Sequence, residues 1–152
     1  MSIDARLSEL NITLPDAPAP AANYVPYVRT GNLLFVSGQI AAGADGLIKG
    51  RLGHDMDTAA GAAAARACGL SLLAQARAAL GSLDRVARVV KLTGFVASTP
   101  DFTDQPEVIN GCSDLMVEVF GDRGRHARAA VSAPSLPRGV AVEIEAVFEI
   151  EG

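Results

Sequence analysis

Basic charge is scarce in this chain. Thirteen Lys+Arg stand against 17 Asp+Glu, a net charge of −4, so there is no basic field of the kind that holds nucleic acid or an anionic lipid surface. Cysteine and histidine are scarcer still. Cys68 and Cys112 have neither the spacing of a disulfide framework nor that of a CxxC redox or zinc motif, and the two histidines, His54 and His126, form no HxxxH pair. A bound metal is not expected. Every apolar stretch is broken well before the roughly 18 residues a membrane span requires. The N-terminal Met1-Ser-Ile-Asp-Ala-Arg-Leu-Ser-Glu9 carries charge where a signal peptide needs an apolar core, so the expected compartment is cytoplasmic. Bulk is also in short supply: aromatic residues make up 5% of the chain, and 27 alanines and 15 glycines supply much of its 49% hydrophobic content. Burial must then come from closely packed backbones, helped by a subunit interface.

The 152 residues suit one domain with one core. A short helix is expected over Ile3 to Leu10. Residues Leu14 to Pro26, carrying Pro15, Pro18, Pro20 and Pro26, read as an extended surface arm. Asn32 to Gln39 reads as the first good strand, followed by turn chemistry at Ala42-Gly-Ala-Asp-Gly46 and a short strand at Leu47-Ile48. Thr58 to about Leu80 is a strong alanine-rich helix capped by Asp57 or Thr58, and its Gly61 and Gly69 cost stability unless they permit close packing. Val86 to Val96 is apolar on both faces and reads as a buried strand. A second helix, Asp104 to Phe120, tolerates Pro106 in its first turn and lines up Val108, Cys112, Leu115 and Val119. His126 to Ala133 is a further strand, and Pro134 to Gly139 a loop. The last strand is the clearest, with Val142, Ile144, Ala146, Phe148 and Ile150 alternating with a mainly acidic face. Such an order predicts an α+β sandwich with helices on one sheet face.

Several residues could carry chemistry, each beside a plainer reading. Arg128, flanked by small residues in His-Ala-Arg-Ala-Ala-Val, leaves an accessible guanidinium, the preferred bidentate partner of a small carboxylate; otherwise it is an edge-strand arginine in solvent or in a surface ion pair. Glu143 and Glu145 share a strand face and could orient a water or accept a proton, although alternating glutamates also describe a solvated face. Ser37 lacks the GxSxG elbow and reads as structural, while Gly38 marks close approach to the backbone. Tyr24 either closes a pocket or anchors the arm. Asn110 is a poor mid-helix residue, hinting at a side-chain role or simple exposure. His126 shares a strand face with Arg128 and reads as a neighbour rather than an actor.

Taken together, these segments resemble the RidA/YjgF family, also called L-PSP. The resemblance is carried by Asn32-Leu-Leu-Phe-Val-Ser-Gly-Gln39, Ala127-Arg-Ala-Ala-Val131, Leu136-Pro137 and Val142-Glu-Ile-Glu-Ala146, in matching order over about residues 20 to 150. Leu-Pro followed closely by Val-Glu-Ile-Glu-Ala is the specific part. Phe120-Gly, Gly124-Arg-His-Ala-Arg128 and Asn23-Tyr-Val-Pro-Tyr27 look like the chorismate-mutase-like branch often called endoribonuclease.

The resemblance implies an α+β, chorismate-mutase-like sandwich in which two main helices pack on one face of a mixed β-sheet. It implies a single domain over 1–152, with residues 1–26 as N-terminal extension and arm, assembled as a homotrimer with clefts between subunits. The implied reaction is hydrolysis of reactive imines and enamines, such as 2-aminoacrylate, to 2-keto acids and ammonia, with no cofactor because the imine is already reactive. Arg128 falls on the family's carboxylate-binding arginine and Glu143 on its acidic residue beside the attacking water. Tyr24, Ser37, Gly38 and Asn110 fall on the cleft tyrosine, serine, glycine and helix asparagine, with Tyr27 competing for the aromatic role. Ala130 stands where the family carries a cysteine, a substitution that a contact through the backbone carbonyl survives, and His126 replaces a proline. The alternative is a non-catalytic module that binds a small keto or amino acid in the same cleft. Ribonuclease activity fits poorly with a net charge of −4 and no His/His or metal pair, and chorismate mutase activity rests on fold similarity alone.

Overall fold

A computed structural model describes residues 1–19 and 23–151. Helix α1 (Ile3–Glu9) starts at Ser2, whose hydroxyl accepts from the Ala5 N–H, and buries Ile3 and Leu7. Its first amide donates to Asp84, and Arg6 reaches the Glu118 carbonyl. The arm that follows has no regular structure where it is described; its residues 20–22 lie outside the described residues.

One strand was not expected from the sequence. β1 (Tyr27–Thr30) turns at Gly31 (φ 59°) into β2 (Leu33–Ile40), antiparallel to it. Only Tyr27 of its four residues is half-buried, so this edge strand carries no period-2 signal. The expected strand at Leu47-Ile48 is also relocated: β3 (Ala42–Gly43) and β4 (Gly46–Leu47) form a separate small hairpin.

The remaining elements follow the predicted order: α2 (Thr58–Leu80), β5 (Val86–Ala97), α3 (Gln105–Phe120), β6 (Ala127–Ala133) and β7 (Val142–Ile150). Asp57 caps α2 by accepting from the Ala60 N–H at 2.8 Å, and Gly81 (φ 81°) ends it. The main sheet has the order β1-β2-β7-β5-β6. Only β5 and β6 run parallel, because α3 carries the chain across between them.

Both long helices lie on one face of this sheet, and the core forms between them and the inward residues of β7, Val142, Ile144, Ala146, Phe148 and Ile150, all buried. The helices meet through small residues. A Cβ on Gly111 of α3 would run into the Ala62 carbonyl of α2, and one on Gly69 would stand 2.8 Å from Leu115. Cys68 and Cys112 are buried and free within this layer, and burial pushes the Cys112 thiol up to about 12.

Among the described residues, nothing forms a covering layer on the second face of the sheet. Rather than being buried on both sides, β5 leaves Thr93 and Phe95 only half-buried there, while Arg88 and Lys91 are exposed. On the same face Phe35 pairs with Val147 and Val28, and Phe95 pairs with Val131. Val28, Phe35 and Val131 are 51%, 44% and 43% exposed, so two apolar patches are open to water with Thr93 and Glu145 between them.

Candidate functional site

β1 pairs with β2 only as far as Val36, so beyond Ser37 β2 loses its outer strand neighbour. At the same point β2 bulges. Val36 stands opposite Ala146 but Gln39 opposite Ile144, which inserts one extra residue in β2 relative to β7. The bulge turns Gln39 to the buried side and leaves Ser37 and Gly38 beside a cavity of about 430 Å³. Glu143 of β7 projects into this cavity. Its carboxylate rests against Gly38 so closely that a Cβ there would stand 3.1 Å from its Cδ and overlap its Oε2. No hydrogen bond or ion pair among the described residues holds this carboxylate. Burial, and after it the neighbouring Glu145, pushes its pKa up from the ordinary carboxylate value.

The proline arm forms one wall. Gln75 of α2 donates to the Pro18 carbonyl at 2.6 Å and reaches Gln39 Oε1 at 3.4 Å, while Gln39 donates to the Ser37 carbonyl at 2.9 Å. From the other end of the arm, Val25 accepts from the Ser37 hydroxyl and Pro26 from the Ser37 N–H, both at 2.9 Å. Ser37 therefore fastens the arm, in line with its structural reading, and still lines the cavity. Tyr24 is 50% exposed and lines the cavity, whereas Tyr27 packs against the core. Sequence reasoning missed Gln39, which turns inward at the bulge, Gln75, which bonds the arm, and Arg138, a cavity residue held at φ 59°.

Arg128 and Asn110 lie elsewhere. They line a shallower hollow of about 260 Å³ at the β6 edge with Ser113, Asp114, Val117, Arg125 and His126. Arg128 donates to Ser113 Oγ at 3.0 Å and, more weakly, to the Pro106 carbonyl at 3.4 Å. Both acceptors are neutral; no carboxylate pairs with Arg128 among the described residues. Burial, and the nearby Arg128 charge to a lesser degree, lower the His126 pKa against a raising bond to Gly124. Ala130 lines neither cavity; it pairs with Gly94 and packs against the core.

Within the chain, the sequence-predicted residues thus fall into two groups. Arg128 pairs with Leu92 on the helix side, whereas Glu143 pairs with Phe95 on the open side, and β5 separates their strands. Two strand spacings and a three-residue offset put their Cα atoms roughly 14 Å apart, on opposite faces. A single bound water cannot bridge them inside one chain.

The chain is similar to known proteins over nearly its whole length. A family model described as "YjgF/chorismate_mutase-like, putative endoribonuclease" matches residues 4–148. Protein TCP17 of Trypanosoma cruzi is 52% identical over 150 residues, covering 97% of this chain and 94% of that protein. The RutC family protein y4sK of Sinorhizobium fredii is 33% identical over 139 residues, covering 91% and 96%. Among solved structures, Atu1372 of Agrobacterium tumefaciens, described as of unknown function, superposes with a TM-score of 0.91 at 50% identity, covering 98% of this chain and 92% of that one.

Proposed function

Starting from a chain that belongs to the YjgF/chorismate-mutase-like family, we propose that it hydrolyses 2-imino acids, formed directly or by tautomerisation of enamines, to 2-keto acids and ammonia. The observation that carries this reading is the state of Arg128. Its guanidinium is oriented by two neutral oxygens and has no carboxylate partner among the described residues, so its charge is left for a ligand carboxylate.

Both groups of residues are needed, and a second copy of the chain supplies the missing one. The open sheet face with its apolar patches at Val28 and Phe35 and at Phe95 and Val131 is the surface through which copies pack, with a homotrimer as the closed assembly. Arg128 and Asn110 of one protomer then face the Tyr24, Ser37, Gly38 and Glu143 cavity of the next. The Ala130 carbonyl lies on the same strand as Arg128 and joins that edge of the cleft.

In this cleft Arg128 fixes the substrate carboxylate and so the position of the adjacent imine carbon. Glu143 accepts a proton from water as its oxygen bonds to that carbon, giving a carbinolamine. That proton passes to the imine nitrogen to complete the neutral carbinolamine; Glu143 then carries the hydroxyl proton to the same nitrogen, the carbon–nitrogen bond breaks, and ammonia leaves as the carbonyl forms. Neither electron transfer nor a metal enters the balance.

The test is release of ammonia and keto acid from freshly generated 2-aminoacrylate and from a bulkier imino acid. Wild-type protein accelerates both, and Arg128→Ala abolishes the acceleration. Binding of keto acid by wild type without any acceleration would instead establish a non-catalytic metabolite-binding module in the same cleft.

A further inference from the structure

At the β6 edge, four groups are joined in one line of hydrogen bonds that begins at Arg128. The Ser113 hydroxyl lies 3.0 Å from Arg128 Nη1 and 2.8 Å from His126 Nε2, and His126 Nδ1 lies 2.6 Å from the Gly124 carbonyl. The direction of each bond follows from what each group can do. A carbonyl only accepts, so His126 Nδ1 carries a proton; in the neutral ring Nε2 is then a lone pair, and the Ser113 hydroxyl donates to it. With its single proton committed to His126, Ser113 can offer Arg128 only lone pairs, as a guanidinium donor requires. Burial and the neighbouring Arg128 charge favour the neutral ring on which this polarity depends.

The far end of the line is rigid. Gly124 is buried, and a Cβ on it would overlap the Met116 carbonyl of α3, so its backbone is seated directly on the helix that carries Ser113. The same helix supplies the Pro106 carbonyl, the second acceptor for Arg128. Two fixed acceptors on one helix hold the planar guanidinium in one orientation, which limits the freedom lost when a carboxylate binds.

We propose that Ser113 and His126 are positioning residues that set Arg128 for carboxylate capture, His126 acting through the Ser113 hydroxyl. The inference rests on the reading of Arg128 as the substrate clamp and adds two residues to it. A structural serine beside a structural histidine would leave substrate affinity alone. A positioning pair instead moves KM more than kcat, because Arg128 binds the carboxylate while Glu143 and its water belong to the other half of the cleft.

The experiment is steady-state imine hydrolysis with titration of 2-oxobutanoate as a stable carboxylate probe, on wild type, Ser113→Ala, Ser113→Thr, His126→Phe and His126→Gln. Ser113→Ala is expected to raise KM and the 2-oxobutanoate Kd roughly tenfold, the scale of one lost bond to a charged group. His126→Phe moves both in the same direction by less. Ser113→Thr, which keeps the hydroxyl, and His126→Gln, which keeps an acceptor near Nε2, restore most of the affinity. In ¹⁵N spectra of wild type at neutral pH, the His126 ring shows a protonated Nδ1 and an unprotonated Nε2, with His54 as internal comparison. Unchanged KM and Kd in a folded Ser113→Ala protein, or a protonated Nε2, overturns the inference while the clamp reading stands. Failure of wild type to bind 2-oxobutanoate overturns both, and is told apart because it appears without any mutation.

Discussion

Glu143 lies against the backbone of Gly38 with no space for a side chain between them. The atom in the way is the end of a flexible carboxylate rather than main chain, so a methyl group at position 38 displaces Glu143 at small cost to the fold. Gly38→Ala is therefore expected to keep its melting temperature within a few degrees of wild type. It should lose most imine hydrolysis while still binding keto acid through Arg128. Calorimetry beside the ammonia assay checks the pair of outcomes; full activity in Gly38→Ala would show that the carboxylate does not work from this position.

A different result is expected at Gly111. There the obstacle is the Ala62 carbonyl, which cannot rotate away, and the helices α2 and α3 must separate to admit a Cβ. Gly111→Ala should destabilise by about 1–3 kcal/mol, the usual scale of overpacking, measured by urea unfolding at fixed protein concentration.

Glu143 also gives the activity a signed dependence on pH. Burial and Glu145 raise its folded-state pKa above the ordinary 4.5, so the base form needed for water attack is lost at a higher pH than for an exposed glutamate. The acid limb of kcat should fall above pH 4.5, whereas Glu143→Gln, which retains keto-acid binding, should show no turnover at any pH. Stability shifts the other way. The folded state holds this proton more tightly than the unfolded chain, so the group's contribution is full below 4.5 and lost as pH rises through its folded pKa. Glu143→Gln should unfold at a higher urea concentration than wild type at neutral pH, and a lower midpoint would contradict the assignment.

The open sheet face makes a prediction about assembly. Phe35 is 44% exposed beside Val28 and Val147, and a carboxylate placed there puts charge and its hydration into an apolar contact. Phe35→Asp should shift the sedimentation coefficient from that of an oligomer to that of a single chain and abolish turnover with it. An unchanged oligomer that stays active would place the subunit contact elsewhere.

Much of the architecture was legible because it follows from repeating local patterns. The β7 alternation, the Asp57 cap and the stripe from Val108 to Val119 each state their element within a few neighbouring residues. β1 was not legible: three of its four residues are exposed, and its pairing is supplied by β2. The candidate site residues were named from motif resemblance, and their distribution over the fold was not legible. Motif resemblance selected Arg128 and Glu143, yet their separation onto two faces depends on sheet order and register, which no local pattern contains. Ser113 was visible only as a polar residue off the α3 stripe. Its bonds to His126 and Arg128 arise where α3 crosses the β6 edge.

A site shared between copies is tested most directly by mixing two inactive proteins. Arg128→Ala and Glu143→Gln would be unfolded together in equal amounts, refolded and assayed for ammonia release. If Arg128 of one protomer works with Glu143 of the next, random assembly joins one intact half of each kind at about a quarter of the clefts, and activity returns to about a quarter of wild type. If each chain held a complete site of its own, every cleft in the mixture would carry a defect. Properly reassembled mixtures that stay inactive would contradict the account.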